Sequence, residues 1–327
     1  MGFTMTNQIQ VLDATPSQYA IVTPRSVGEL FPRFVSFIDA KPKTVETYTR
    51  AIRQLLRFLN DRGITAPTRE TLIEYREHLR ASHKPTTVQN YMQAAKRFFG
   101  WMSVEGLYAD IGKGVKGVKL DREHKKDYLS ARQVKAILAG IDRSNESGIR
   151  DYALFALLVG CGLRTIEVAR ANIEDLRVKG ESTVLYLQGK GHDDKADFVI
   201  VSEPVEKALR AYLATRDKYA DSDPLFISTS NNSRGARLTT RSISGIAKAI
   251  MVNSGYQSDR LTAHSLRHTA VTLAIKSGRS LAEAQQFARH KDISTTQVYN
   301  HSLEKMENKC SASVANAIFW GIIYPMF

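Results

Sequence analysis

The sequence predicts a mainly α-helical chain of two domains with one small β-sheet. Three observations carry this. A length of 327 residues is enough for two domains of ordinary size. Residues 25–111 show helical periodicity and no strand signal. From Tyr128 onward helical periodicity returns, interrupted once by two short β-rich runs. A hydrophobic fraction of 43% is ordinary for a globular protein and allows a substantial core.

Residues 1–24 lack a period and contain Pro16 and Pro24, so they are expected to form a flexible arm. The first helix carries Leu30, Phe31, Phe34, Val35 and Ile38 on one stripe. The second follows Lys43-Thr44, shows Tyr48, Ile52, Leu55, Leu56 and Leu59, and stops at Gly63. A third spans roughly Thr68–Ala81. A fourth starts near Pro85 and carries Val88, Tyr91, Met92, Ala95, Phe98 and Phe99. Residues 112–127, with Gly112, Gly114, Gly117 and the charged run Asp121–Lys126, are expected to be a linker.

The second domain is placed at residues 128–301. Ser130 is an N-cap for a helix through Val134, Ile137 and Leu138. Asp151 is expected to open an apolar helix, Tyr152–Val159. Strands are expected at Val184–Leu187 and Phe198–Val201, joined by a loop containing Gly189-Lys190-Gly191. Helices follow at Val205–Leu213, Ser242–Val252, His264–Ser277 and Leu281–Ala288. Residues 302–327 form a tail, polar first and then apolar from Ala317 to Tyr324.

The formal net charge is +13, with +7 in residues 1–120 and +6 in the remainder. Both halves therefore suit a polyanion, nucleic acid or an anionic membrane. The longest apolar runs are too short to span a bilayer, which leaves nucleic acid. Met1 to Ala20 is polar, unlike a signal peptide, and Cys161 and Cys310 make no disulfide framework or metal-ligand spacing. A reducing, cytoplasmic setting is expected, on the nucleoid when bound to DNA.

The chemistry-bearing residues lie in the second domain. His264 and Arg267 stand three apart, a spacing that puts both on one face of a helix. His290 follows 23 residues after Arg267, and Tyr299 nine residues later. Upstream lie Arg164 and Glu167 in Gly162-Leu163-Arg164-Thr165-Ile166-Glu167, then Lys190 in the loop between the strands. Attack on a phosphodiester builds negative charge on its non-bridging oxygens. An arginine offers a flat, permanently charged fork to two of them, and two arginines can clamp the group. No carboxylate cluster suggests a metal and no P-loop suggests ATP, so no cofactor is expected.

The order Arg164, Lys190, His264-x-x-Arg267, His290, Tyr299 resembles the tyrosine recombinases of the integrase type, the Cre, Xer and lambda integrase group. One departure is Arg289, where a glycine often precedes the histidine. The resemblance extends over the chain and implies a two-domain DNA clamp, with a helical, SAM-like core-binding domain at 25–111 and an α+β catalytic domain at 128–301. It implies that Tyr299 is the nucleophile, His264 the base and Lys190 the acid, with Lys195 as rival to Lys190. Arg164, Arg267 and His290 would hold the phosphate, and Glu167 would support them. The product would be a 3′-phosphotyrosine, with strand exchange in a homotetramer on double-stranded DNA sites, serving a mobile element. Accessory DNA-bending or directionality proteins are further partners to test for. His268 reads as structural, His301 has no assigned role, and Tyr256 and Tyr324 lack the context of Tyr299.

DNA contacts outside the chemistry are expected at two helix starts, Lys43 and Thr44, then Lys84, Thr86 and Thr87. Arg50, Lys96 and Arg97 extend those polar faces, Gln89 and Asn90 could reach base edges, and Arg241 begins a further backbone contact. The apolar tail is expected to dock on a neighbouring protomer. A type IB topoisomerase-like nicking-closing enzyme and a catalytically silent DNA-binding regulator are the competing readings.

Overall fold

The computed structural model describes residues 24–119, 127–189, 194–299 and 309–319. The expected arm at 1–23, the charged run at 121–126, Lys190, His301 and the end of the tail lie outside the described residues. The chain forms two compact units, Met1–Arg122 and Glu123–Phe327.

Among the described residues the first unit has four helices: α1 (Pro24–Ile38), α2 (Pro42–Asp61), α3 (Arg69–Arg80) and α4 (Pro85–Val104). Proline opens α2 and α4, where its missing N–H would have had no helical partner anyway. Thr68 caps α3 by accepting from the Thr71 amide. The apolar stripes read from the sequence meet in one core, with Phe34, Leu55, Leu72, Phe98 and Trp101 buried. The segment after α4, expected from Gly112 to be a linker, instead folds back on the helices. Val115 is buried, the Lys96 ammonium donates to the Val115 carbonyl, and the Val118 amide donates to the Gln89 side chain at 3.0 Å. A β-carbon on Gly112 would stand 2.9 Å from the Lys96 Cα, so glycine there marks a close backbone approach and not slack chain.

The second unit runs α5 (Ala131–Gly140), α6 (Glu146–Gly160), α7 (Thr165–Arg170), β1 (Leu176–Lys179), β2 (Ser182–Leu187), β3 (Asp197–Ile200), α8 (Glu203–Leu213), α9 (Thr240–Asn253), α10 (Ala263–Lys276) and α11 (Leu281–Ala288). Residues 294–299 form α12, and α13 is Cys310–Phe319. Ser130 caps α5 as expected. The apolar helix does not open at Asp151. It begins a turn and a half earlier, where the Asn145 side chain accepts from the Gly148 amide at 3.0 Å. The polar residues Glu146 and Ser147, with Gly148, concealed that first turn in the sequence.

The sheet is antiparallel in the order β1-β2-β3, with Leu185 opposite Leu176 on one side and Val199 on the other. β1 was not expected. Its Arg177, Val178 and Lys179 are exposed, so it shows no buried alternation and exists through pairing with β2 across the turn at Gly180, φ 61°. Helix α6 runs through the core of the unit, with Leu154, Phe155, Leu157 and Leu158 fully buried. It packs against α8, α9 and α10. Along α10 burial is near-complete from Ser265 to Thr272, while Leu273 and Ala274 are half-buried.

Phe155→Ala should destabilise the second unit by about 3–5 kcal/mol, because the enclosing helices cannot collapse into the cavity. Guanidinium unfolding followed by circular dichroism checks this, and a loss under about 1 kcal/mol would contradict the packing described.

Candidate active site

The site begins where α6 ends. Gly162, at φ 57°, turns the chain toward Arg164, and a β-carbon there would meet the Phe287 ring at 3.0 Å. Arg164 is the N-cap residue of α7. Its amide donates to Glu167 Oε2 at 2.7 Å and its guanidinium to Glu167 Oε1 at 2.7 Å. Glu167 is 1% exposed, so it is a buried carboxylate whose charge is met by hydrogen-bonded partners. One of these is Arg289, which donates to Oε2 at 2.9 Å. The coulombic effect of Arg289 and the Arg164 hydrogen bonds outweigh burial and hold Glu167 below the usual carboxylate range.

Helix α10 brings in Arg267, itself 1% exposed. Its guanidinium donates to the Gly162 carbonyl at 2.7 Å and to the Ala288 carbonyl. The Arg164 guanidinium donates to the Arg289 carbonyl at 3.3 Å. Three arginines thus stitch the turn at 162–167 to the turn at 288–290. Burial, followed by the charges of Arg164 and Arg289, lowers the Arg267 pKa to about 10, so it remains a cation at neutral pH. Three guanidiniums facing one buried carboxylate leave an excess of positive charge, which attracts an anion.

His290 follows Arg289, and its Nδ1 lies 2.9 Å from the buried Thr296 hydroxyl. Burial and the surrounding cations Arg267, Arg164 and Arg289 push its pKa down to about 4. The ring is therefore neutral at pH 7. In the tautomer that accepts from the Thr296 hydroxyl at Nδ1, Nε2 carries the proton. Tyr299, 3% exposed on α12, packs with Val271, Ala284 and Ala288. Its ring centroid is 4.4 Å from that of His268 and 6.1 Å from that of His290. Burial raises its pKa, against the lowering fields of Arg267 and Arg164, so the phenol is protonated. His264 is exposed at the start of α10, and its field reaches His290. The buried Arg267 and the exposed His264 thus differ in surroundings although one helix carries both.

Five of the sequence-derived residues, Arg164, Glu167, Arg267, His290 and Tyr299, come together, with His264 beside them. Lys190 lies outside the described residues, but the loop entering it is anchored where Arg170 donates to the Gly189 carbonyl at 3.2 Å. Lys195 is engaged elsewhere, donating at 2.6 Å to Asp175, a buried carboxylate. The contacts of Arg289, Thr296 and His268 are not signalled by the sequence. His268 stacks on Tyr128 at 5.9 Å and touches Tyr299, contacts that no spacing signals. Among the described residues no cluster of His, Cys, Asp or Glu could hold a metal ion.

In the first unit, Lys43, Thr44, Arg50, Lys84, Thr86, Asn90 and Arg97 are exposed and Thr87 is half-buried. Lys43 and Arg50 share Glu46, at 2.6 and 3.2 Å. A shallow groove along α2 is lined by Thr49, Arg50, Arg53, Gln54 and Arg57, a polar face that includes the unforeseen Arg57. Gln89 and Lys96 are half-buried and hold the returning segment at Val118 and Val115. In the second unit Arg241 is exposed in the first turn of α9.

Residues 127–306 match the phage integrase family, and residues 30–108 match the phage integrase N-terminal SAM-like domain. The chain is 27% identical over 277 residues to tyrosine recombinase XerD of Rhizobium meliloti, covering 81% of this chain and 87% of that protein. It is likewise 27% identical over 293 residues to tyrosine recombinase XerC of Proteus mirabilis, covering 86% and 92%. Among solved structures it resembles the XerH site-specific recombinase in a post-cleavage complex with a palindromic difH substrate. The TM-score is 0.69 at 20% identity, over 83% of this chain and 79% of that one. A lambda integrase dimer bound to a COC′ core site matches with TM-score 0.66 at 18% identity, over 84% and 97%.

The depressed His290 pKa sets a pH dependence of folding. The unfolded ring binds its proton near pH 6.5, the folded one only near 4. The unfolded state therefore holds more protons between those values, and stability falls as pH drops from 6.5 toward 4. The His290 ring resonance, followed by NMR in the DNA-free protein, should titrate near pH 4. Titration at the ordinary histidine value would contradict the buried, cation-flanked site.

Proposed function

The chain belongs to the phage integrase family and is a tyrosine site-specific recombinase, and on that premise we propose that it cuts and rejoins DNA through a 3′-phosphotyrosine on Tyr299. The observation that carries this reading is the convergence of Arg164, Arg267, His290 and Tyr299 in one cation-rich cluster, with Arg164 and His290 lining the adjoining open cavity. A scissile phosphate supplies negative charge that balances these cations. Arg164 and Arg267 receive its non-bridging oxygens, and His290 donates from Nε2. Preorganised donors of this kind are each worth roughly 3–4 kcal/mol at a developing oxyanion.

The Tyr299 oxygen attacks phosphorus, the P–O5′ bond breaks, and the phosphodiester becomes a tyrosyl ester with a free 5′ hydroxyl. Bond energy is conserved, so the reverse attack by a 5′ hydroxyl from another strand completes exchange. The buried phenol needs a base, and His264, exposed beside His290, takes that role. Lys190 protonates the leaving oxygen. The pairing of Lys195 with Asp175 supports this assignment over its rival.

Both units carry exposed cations, and in this reading they hold the same duplex. The α2 arginines contact phosphates in the first unit and Arg241 does so in the second. Recombination takes place in a tetramer, with α13 as the docking segment. That helix is exposed throughout its length and includes Val314, Ile318 and Phe319. Service to a mobile element is the biological role we assign. The Xer relatives, matched over 87–92% of their length, favour a second reading, chromosomal dimer resolution. Recombination assays on paired integration sites and on directly repeated sites separate the two.

On a nicked suicide duplex selected from a random library by protein binding, the wild type should form a covalent adduct and Tyr299→Phe none. Denaturing gels read this directly, and an adduct that survives in Tyr299→Phe refutes the nucleophile. Adduct without strand exchange between two duplexes would point to a topoisomerase. Separately, replacing Arg50, Arg53 and Arg57 with alanine should reduce the slope of log affinity against log salt by about 0.9 for each phosphate that is no longer neutralised. An unchanged slope in fluorescence anisotropy titrations would remove the α2 groove from the DNA interface.

A further inference from the structure

Arg289 sits in the left-handed region, φ 52°, directly after α11. A residue with a β-carbon adopts that conformation at a cost that glycine does not bear. Its side chain is only 9% exposed, and burying a guanidinium is unfavourable unless it is paired. Two local penalties at one position call for a compensating interaction made by the side chain.

That interaction lies within the catalytic cluster. The Arg289 guanidinium donates to the Phe287 carbonyl at 2.9 Å, to the Gly162 carbonyl at 3.4 Å and to Glu167 Oε2 at 2.9 Å. Its buried Nε has no hydrogen-bond partner among the described residues and stands 3.9 Å from the Asp197 carboxylate. Its own carbonyl accepts from Arg164 at 3.3 Å. Glu167 therefore faces two guanidiniums at once. If Arg164 faced this buried carboxylate alone, the pair would approach mutual neutrality and Arg164 would be drawn to the carboxylate instead of to a substrate. With Arg289 on the second oxygen, the cluster keeps its excess positive charge.

We propose that Arg289 is a positioning residue for strand transfer: it takes up one oxygen of Glu167, so that the charge of Arg164 stays directed at the scissile phosphate, and it ties the turn bearing Arg164 to the turn bearing His290. This rests on the strand-transfer reading above. Among the described residues, the charged and titratable groups around this junction are Cys161 after α6, Arg164 at the N-cap of α7 and Glu167 within it, Arg267 and His264 from α10, Asp197 from β3, Lys291 and Asp292 after His290, and Tyr299 from α12. Arg289 is among the cations that keep His290 neutral, after Arg267 and Arg164.

The test uses the full chain as wild type, Arg289→Gly, Arg289→Gln and Arg289→Lys. Glycine suits the left-handed backbone, so loss of activity in that variant does not stem from the turn; glutamine keeps the bulk and removes the charge. On the library-selected suicide duplex at saturation, the Gly and Gln variants should form adduct roughly 10- to 100-fold more slowly, the range typical when a supporting partner is removed. Duplex affinity should change by less than about threefold, and lysine should restore much of the rate. In the DNA-free protein, the NMR titration of His290 should move upward from about 4 in the Gly and Gln variants and less in the Lys variant. A rate in Arg289→Gly within about twofold of wild type overturns the proposal. So does an unmoved His290 titration, or a lysine variant as slow as the glycine one. If the wild type itself forms no adduct, the strand-transfer reading fails, while the His290 titration still reports on Arg289 without turnover.

Discussion

The buried carboxylate of Glu167 is the constraint around which this site is organised. A lone carboxylate at that depth would be protonated or would unfold its surroundings. Here it accepts from one backbone amide and two guanidiniums, and those three bonds define the Arg164 turn and its attachment to the segment before His290. Arg267 completes the join by donating to carbonyls on both segments. Arg164, Glu167, Arg267 and Arg289 are thus held against one another and against the backbone by a connected network, in which the buried Arg289 Nε is the one group without a hydrogen-bond partner among the described residues.

The resting electrostatics follow from the same network. The buried Glu167 and the exposed Asp197, 3.9 Å from Arg289 Nε, do not balance three arginines, and the surplus falls on the neighbouring titratable groups. Arg267 and His290 both bind protons less readily than they would in water, and burial keeps Tyr299 protonated. A polyanion entering the pocket relieves the repulsion among the cations.

In the first unit, side chains of the same polar type have different surroundings. Lys96 and Gln89 lie on helix α4 among residues that suit DNA, yet both hold the returning chain at Val115 and Val118. Arg50, Arg53 and Arg57 line an open groove on α2. What separates the two groups is whether a neighbouring segment offers a backbone partner, and that depends on where the chain goes after α4.

Much of the fold was legible because burial imposes a period. The stripes of α1, α2 and α4, the cap at Ser130 and the span of α11 follow from local rules, and Arg164, His264, Arg267, His290 and Tyr299 could be singled out by order and spacing. β1 was invisible because its exposed residues carry no alternation, and the start of α6 was hidden by polar residues around its cap. The linker expected at Gly112 is in fact a close approach to α4. For the site, sequence order singled out the candidate side chains. Only the tertiary structure decided that Arg267 is buried, that His290 is neutral, that Lys195 is committed to Asp175 and that Arg289 shares Glu167. Those properties come from desolvation and from charges brought together over long separations, such as the 125 residues between Arg164 and Arg289, and local sequence encodes neither.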